Sequence, residues 1–477
     1  MQRNTGFDLP CIVAMDLTDI YISKQHKKEF DTMNIILLSG GSGKRLWPLS
    51  NEVRSKQFLK IFKQPDGSRE SMVQRMYRMI HEVDKDAQIT VATSENQVAS
   101  IYGQLGDKVG ISIEPCRRDT FPAIALATSY LHELKGVSEN EVVIVCPVDP
   151  YVEAPYFQML EKLSNQADKG EANLVLMGIE PTYPSEKYGY ILPQSSEPLS
   201  LVDTFKEKPD VLTAEKYIKQ GALWNAGVFA YKLKYVLDIT KNIFGTSSYQ
   251  ELFDNYANLT KVSFDYAVVE KEPKIQVMRF AGEWKDLGTW NTLTEAMSDE
   301  VAGNAVAAEC ENTHVINELQ IPLIALGVKN LAITATPDGI LVAEKSKSDK
   351  LKEYVSEQRP MYEKRVWGEY QVLDYRIQAD GKNSLTKHLI IKPGRHISYQ
   401  KHAHRAEIWT FVDGDGSLII DDVITKVTRG DMAYIKPGMK HAIKADSELH
   451  IIEVQIGDEL TEEDIERLDW DWEQNGL

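Results

Sequence analysis

Hydrophobic positions along this chain follow two different grammars. From Met33 onward, short and largely apolar runs recur at Ile35–Leu38, Ile89–Ala92, Val142–Val145 and Leu174–Met177. Runs of that length fit strands covered on both faces, as in a parallel sheet. Between them the period is helical. Met72, Val73, Met76, Met79, Ile80 and Val83 step by three and four and share one face, a stripe read as core packing. Pro122 followed by Ala123–Ala127 reads as a helix with proline in its first turn. Strands alternating with helices predict a parallel, doubly wound α/β unit whose ligands sit at the carboxyl ends of the strands.

Past about residue 295 the pattern changes. Leu323–Leu326, Leu331–Ile333 and Ile340–Val342 are short apolar segments without clear helices between them, and the charged stretch Lys345–Lys352 follows. From Ser384 the alternation has period two, broken by Pro-Gly, Asp-Gly and Arg-Gly-Asp turns, the grammar of an antiparallel sandwich or small barrel. Thr461-Glu462-Glu463-Asp464 predicts a capping box that opens an acidic helix. Residues Met1–Thr32 stand apart, with one apolar patch at Cys11–Met15 and a charged stretch at Lys24–Asp31; a flexible arm and an upstream start codon are both consistent with them. The expected units are therefore 1–32, 33–295, 296–355 and 356–477.

Composition narrows the function. The 477 residues are 43% hydrophobic and 26% charged, enough apolar material for more than one core. A formal charge of −17 argues against a general binder of nucleic acid or anionic membranes, which needs an excess of cations; a local basic pocket stays open. Cys11, Cys116, Cys146 and Cys310 show no paired spacing, so neither a disulfide framework nor a CxxC zinc site is expected. No stretch approaches the ~20 apolar residues that cross a bilayer. The N-terminus lacks a basic segment leading into an apolar one, so the expected location is the cytoplasm.

Ser39-Gly40-Gly41-Ser42-Gly43-Lys44-Arg45-Leu46 follows the first apolar run. Its glycines let the backbone approach a phosphate closely, and successive N–H groups form an anion nest. A P-loop is excluded, because Leu38 stands where its first glycine is needed and Arg45 where it requires Ser or Thr; GxGxxG is absent too. Glycines followed by Arg45 and Lys56 suit a polyphosphate, the alternative being a tight strand–helix turn with solvated cations.

The segment from Leu38 to Ser50, with Lys56-Gln57-Phe58-Leu59 after it, resembles the loop of sugar-phosphate nucleotidyltransferases. Its Trp47-Pro48-Leu49-Ser50 and Lys-Gln-Phe continuation is similar to bacterial mannose-1-phosphate guanylyltransferases of the long, cupin-bearing type. Lys44 stands where that family has Thr, which adds a cation beside the triphosphate. Glu114-Pro115 and Arg118-Asp119-Thr120-Phe121-Pro122-Ala123-Ile124 resemble the family's segment near base and ribose, with Asp119 where Asn is common. Pro147-Val148-Asp149 and Trp284-Lys285-Asp286-Leu287-Gly288 are similar to the segments carrying its two metal aspartates. Tyr188-Gly189-Tyr190-Ile191, Glu207-Lys208-Pro209 and Asn225-Ala226-Gly227 resemble its sugar-phosphate pocket.

The resemblance implies that a mannose 1-phosphate oxygen attacks the α-phosphorus of GTP and expels diphosphate. Two anions must meet, so charge and positioning are the obstacle. Asp149 and Asp286 are hard oxygen ligands suited to Mg²⁺. Arg45 supplies a planar fork and Lys56 a point charge for phosphate oxygens. Ser39, Gly40, Gly41, Gly43, Lys44, Arg118 and Thr120 are the implied nucleotide contacts. In the sugar pocket, Lys208 is expected on the phosphate, Glu207 and Asn225 on hydroxyls, Gly189 close by, and Tyr188 in packing or binding.

A second constellation lies near the C-terminus: Gln400-Lys401-His402-Ala403-His404-Arg405-Ala406-Glu407, then Pro437-Gly438-Met439-Lys440-His441. Residues two apart on a strand share a face, so His402 and His404 are expected to point the same way. These segments resemble cupin motifs, and those of type II mannose-6-phosphate isomerases in particular. The resemblance implies His402, His404, Glu407 and His441 as ligands of Zn²⁺ or a related transition metal. Lys401, Ala403 and Ile408 depart from the isomerase form, and Arg405 is a candidate phosphate contact or a surface cation.

The expected architecture is thus a Rossmann-like, doubly wound α/β nucleotidyltransferase unit, a β-rich connecting region and an all-β cupin barrel. Three functions remain open: a GTP-dependent enzyme making GDP-mannose, a bifunctional enzyme that also isomerises mannose 6-phosphate, and an inactive sugar-nucleotide binder. A homodimer is what the family likeness implies.

Overall fold

The computed structural model describes residues 32–41, 44–51, 54–64, 66–356, 359–378, 380–470 and 472. The segment before Thr32, Ser42 and Gly43 of the glycine loop, and the Lys44 side chain lie outside the described residues.

A nine-stranded sheet organises the first unit. Its strands are β1 (Asn34–Ser39), β2 (Gln88–Ser94), β3 (Gly110–Glu114), β4 (Val142–Pro147), β6 (Leu174–Ile179), β7 (Tyr190–Pro193), β8 (Leu199–Lys206), β9 (Leu223–Lys232) and β10 (Ile275–Phe280), in the order β3-β2-β1-β4-β9-β6-β10-β8-β7. A short β5 (Pro150–Val152) lies outside it and pairs with β11 (Trp284–Asp286). The sheet is mixed where an all-parallel one was expected. β1 runs parallel to β2 and β4, but β9 is inserted antiparallel between β4 and β6. A strand buried on both faces is apolar in either direction, so the runs reveal strands and not their polarity.

Helices cover both faces. In α1 (Met72–Val83) a capping box between Ser71 and Gln74 starts the helix, and Met72, Val73, Met76, Met79 and Ile80 are buried. α2 (Glu95–Leu105) follows β2. α3 (Thr120–Glu133) carries Pro122 in its first turn and is buried along most of its length. A single turn, α4 (Phe264–Ala267), later docks against it.

The connecting region coils. β12 (Val301–Gly303), β14 (His314–Asn317) and β16 (Leu331–Thr336) stack in parallel, β13 (Ala305–Ala308) stacks on β15 (Leu323–Leu326), and β17 (Gly339–Glu344) closes one side. His314 faces Ala332 and Ala305 faces Leu323, one coil later. Asn312 and Asn330 occupy equivalent left-handed corners, φ 46° and 58°, and Asn312 Nδ2 donates to Asn330 Oδ1 at 2.9 Å. At the left-handed Gly303, φ 83°, a Cβ would fall 1.8 Å from the Asn317 carbonyl oxygen. Gly303→Ala is accordingly expected to lower stability by about 2–4 kcal/mol, read from denaturant unfolding.

This coil braces the glycine loop. Leu46, Leu49, Leu59, Leu287, Trp290, Ile316, Ala332 and Leu341 form one apolar cluster. Arg54 donates through both terminal nitrogens to Glu318 at 2.6 Å, and Thr336 Oγ1 donates to the Pro48 carbonyl at 3.1 Å. Asp338 accepts from Asn51 Nδ2 at 2.9 Å and from the Met361 amide at 2.6 Å, so one carboxylate ties loop, coil and C-terminal unit together.

The last unit is a two-sheet barrel. One sheet comprises β18 (Tyr362–Arg365), β19 (Gly368–Arg376), β20 (Asn383–Ile391), β22 (Arg405–Asp413), β25 (Met432–Ile435) and β27 (Leu449–Gly457). The other comprises β21 (Gln400–His402), β23 (Gly416–Ile420), β24 (Val423–Val427), β26 (His441–Ala445) and β28 (Ile465–Arg467). The acidic helix expected after Thr461 does not form. Ile465–Arg467 pairs with β21 as an edge strand, and Asp464 caps the Ala403–His404 turn, accepting from those amides at 3.0 and 3.2 Å. Sheet pairing and a distant turn outcompete a local capping signal that has no apolar stripe behind it.

Candidate functional site

The carboxyl ends of β1, β2, β3 and β4 share one rim of the sheet, and Asp149 lies just past β4. The β5–β11 ladder sets Asp286 opposite Pro150, bringing two aspartates that are far apart in sequence side by side. Lys56 sits between them, its Nζ 3.0 Å from Asp149 Oδ2 and 3.6 Å from Asp286 Oδ1, and it donates to the Leu287 carbonyl at 3.3 Å. Burial opposes the ammonium's charge, but the two carboxylates prevail and raise its pKa. A Cβ at Gly288 would come within 3.4 Å of Arg45 Nη1 and 3.0 Å of Asp286 Oδ2, so glycine there lets guanidinium and carboxylate close on the backbone. Arg45, Lys56, Asp149 and Asp286 therefore converge. Two carboxylates aimed at one ammonium form a donor set that fits a hard divalent cation.

The glycine loop is held from below. Ser39 is fully buried, and Gln57 Nε2 donates to Ser39 Oγ at 2.6 Å and to Gln97 Oε1 at 2.8 Å. The Ser39 hydroxyl thus supports the loop from inside, whereas Gly40 and Gly41 face open space. Gln97 is a contributor that the sequence reading missed, for it stands outside every recognisable motif. At the start of α3, Asp119 takes φ 71° and accepts from the Thr120 amide at 2.8 Å. The Thr120 hydroxyl accepts from the Phe264 amide at 2.8 Å, so it engages α4. Arg118 Nε is buried without a hydrogen-bond partner among the described residues. Tyr256 donates to Glu114 Oε2 at 2.8 Å, while burial pushes the Glu114 carboxyl up.

Beside the aspartates opens a cavity of about 240 Å³ that joins Asp149 and Asp286 to Tyr188, Glu207, Asn225 and Asp265. Gly189 is required there, since a Cβ would lie 2.5 Å from Glu207 Oε2. Glu207 is buried and pairs with Lys208 at 2.5 Å. The Gly227 amide donates to Asn225 Oδ1 at 3.1 Å, which turns Asn225 Nδ2 toward Asp265 Oδ1, 2.7 Å away. Tyr188 packs between Trp224 and Trp284, with ring centroids 4.9 and 5.5 Å away, and also lines the cavity. Asp265 was not anticipated. Burial, then Glu207, push its carboxyl up to about 7.

In the barrel, His402, Glu407 and His441 are buried with ligand atoms within 4.8 Å of one another. His402 Nε2 lies 3.2 Å from Glu407 Oε1 and His441 Nε2 3.6 Å from Glu407 Oε2. His404 is not with them. The chain leaves β21 at His402 and turns through Ala403–His404, so strand periodicity ends and His404 is half exposed, 3.6 Å from Asp458. Buried Gln400, in register with His441 across β21 and β26, occupies the neighbouring position instead. His441 Nδ1 is 3.1 Å from the Met439 carbonyl, which can only accept, so Nδ1 carries the proton and Nε2 keeps its lone pair. Both His402 nitrogens and His441 Nε2 lack hydrogen-bond partners among the described residues. Burial and Arg405 push the His402 imidazole down to about 3, and burial lowers His441, so both rings are neutral. Orphaned neutral imidazoles beside a carboxylate fit a transition-metal ion.

Arg405 is neither a surface cation nor a free phosphate contact. It is 3% exposed and donates to Glu407 Oε1 at 3.1 Å and to the Thr461 carbonyl at 2.8 Å. Gln455 and Trp409 also donate to Glu407, at 3.1 and 3.0 Å. Behind it, burial and then Glu407 push the Glu453 carboxyl from 4.5 up to about 7. Between those values the folded chain keeps a proton that the unfolded chain releases, so this group makes stability fall as pH rises from 4.5 to 7. In chelated protein, Glu453→Gln should flatten that decline in a Tm-versus-pH series.

Comparison with known proteins places these features in a family. The nucleotidyl transferase family model matches residues 34–302, and the mannose-6-phosphate isomerase C-terminal model matches residues 352–470. The xanthan biosynthesis protein XanB of Xanthomonas campestris pv. campestris (strain B100) is 32% identical, the match covering 91% of this chain and 97% of XanB. A mannose-1-phosphate guanylyltransferase of Salmonella montevideo is also 32% identical, over 91% of this chain and 98% of its own. The crystal structure of a Thermus thermophilus protein described as a mannose-1-phosphate geranyltransferase aligns at a TM-score of 0.57 and 28% identity, covering 68% of this chain and 98% of that one. No helix among the described residues is long and apolar enough to cross a membrane. With its rim of converging cations and aspartates and its metal-competent barrel, the chain belongs to the nucleotidyl transferase family and carries a mannose-6-phosphate isomerase C-terminal domain behind the transferase unit.

Proposed function

We propose that the protein is a mannose-1-phosphate guanylyltransferase, converting GTP and mannose 1-phosphate to GDP-mannose and diphosphate for polysaccharide or glycoconjugate synthesis. The observation that carries this is the meeting of Asp149, Asp286 and Lys56 at the mouth of a cavity lined by carboxylates and an amide. The names of the XanB and Salmonella relatives support it. Asp149 and Asp286 would hold Mg²⁺, which when bound offsets phosphate charge as a Lewis acid. Arg45 and Lys56 bind phosphate oxygens, and Lys56 is preorganised by its ion pairs with both aspartates. Gly40 and Gly41 cradle the triphosphate, and Arg118 faces base and ribose. Glu207, Lys208, Asn225 and Gly189 orient the sugar phosphate against it.

A second activity is favoured by the His402–Glu407–His441 cluster and its orphaned nitrogens: metal-dependent isomerisation of mannose 6-phosphate in the barrel. Zn²⁺ or a related ion would be held by these three residues. An inactive binder is disfavoured, because decay would scatter Arg45, Lys56, Asp149 and Asp286 sooner than keep them together. The chain divides into units 33–295, 296–355 and 356–477, acts in the cytoplasm and forms a homodimer in this reading. A panel of four NTPs against several hexose 1-phosphates with Mg²⁺, followed by diphosphate release, tests it. GTP with mannose 1-phosphate should lead; absence of diphosphate with every pair would refute the transferase, and an isomerase assay with and without chelator tests the barrel.

A further inference from the structure

We infer that Asp265 reads the hydroxyl groups of the hexose and is a specificity-determining residue of the sugar pocket. This rests on the cavity beside Asp149 and Asp286 being the hexose-phosphate pocket. The cavity has two unlike ends. At one, Asp149 and Asp286 are offset by two cations, Lys56 between them and Arg45 beside the Asp286–Gly288 turn. At the other, Glu207 and Asp265 line the same wall, with Lys208 paired to Glu207 and Asn225 to Asp265. A phosphate cannot settle against two carboxylates, but hydroxyl groups can, because each donates a proton into them. A sugar lying with its phosphate toward the cations presents its ring hydroxyls to Glu207, Asn225 and Asp265. A carboxyl group fixed in one place bonds only the hydroxyls that reach it, so it distinguishes epimers by where their hydroxyls point.

Asp265 is also placed deliberately. It sits in the first turn of α4, and that turn is pinned to the start of α3 by two bonds: the Phe264 amide donates to Thr120 Oγ1 at 2.8 Å, and the Phe121 amide donates to the Val262 carbonyl at 3.1 Å. Phe264 is buried against Phe121 and Phe229. Thr120, expected at the nucleotide, therefore acts as a positioning residue for the sugar side.

The test uses the full chain and measures KM for each substrate separately. Asp265→Ala should raise KM for mannose 1-phosphate about 10–100-fold and leave KM for GTP within about twofold, the scale of losing one hydrogen bond to a charged acceptor. Asp265→Asn, nearly isosteric, should lower the preference for mannose 1-phosphate over its epimers about tenfold. Thr120→Val should raise the sugar-phosphate KM and not the GTP KM, and Thr120→Ser should restore it. If Asp265→Ala fails to fold, judged by Tm, Asp265→Asn decides. An unchanged sugar-phosphate KM and epimer preference in Asp265→Asn, or equal rises for both substrates, overturns the inference. If wild-type protein turns over no hexose 1-phosphate, the proposed function fails on its own. Calorimetric titration with mannose 1-phosphate alone then still reads Asp265: weaker binding to Asp265→Asn upholds the inference, and equal or absent binding overturns it.

Discussion

Asp286→Asn is expected to lower transferase turnover by about 10²–10³-fold, the scale of removing one preorganised charge partner from a phosphoryl-transfer site. The β11 backbone pairs with β5 through main-chain groups, so a near-isosteric amide keeps the strand in place. What changes is charge. With Asp286 neutral, Lys56 keeps only Asp149 at 3.0 Å, and a divalent ion would keep a single carboxylate. Asp149→Asn should cost a similar factor. The double variant should fall well short of the product, because both residues serve one cation. The measurements are kcat at saturating substrates and Mn²⁺ affinity of the transferase unit; near-normal values for both would remove Asp286 from the cation site.

His402→Ala should strip the barrel of its metal, weakening affinity at least about 100-fold, and abolish isomerase turnover with it. Of the three buried ligands, His402 is the one whose two nitrogens both lack hydrogen-bond partners among the described residues, so its loss breaks no other network. Glu407→Gln is the less informative variant, since Arg405, Trp409 and Gln455 all bond to that carboxylate and its loss would leave buried donors unpaired. Metal analysis after dialysis reads the outcome directly. Equal metal content in wild type and His402→Ala would refute the site.

The two metal-competent groupings were legible to different degrees. Asp149 and Asp286 carry chemistry that stands out in their motifs, and the ladder between β5 and β11 joins them. The histidine pair shares a face only on a continuous strand, but β21 ends at His402, and Asp464, far along the chain, holds the Ala403–His404 turn through both amides. Arg405 reads as a surface cation by type, yet the barrel buries it against Glu407. Asp265 and Gln97 carried no local signal at all, being single polar residues in otherwise ordinary segments.

The order of amino acids alone determined the buried strand runs of the first unit, the α1 stripe, the proline-led α3 and the residue types fit for phosphate and metal. Those properties are local, set by side-chain period and chemistry within a few residues. Tertiary structure decided strand direction, the coiled brace under the glycine loop, the departure of His404 and the company that Asp265 keeps. Each of these depends on pairing between groups remote in the chain, where an edge strand, a distant carboxylate or a buried amide outweighs any preference of the residue itself.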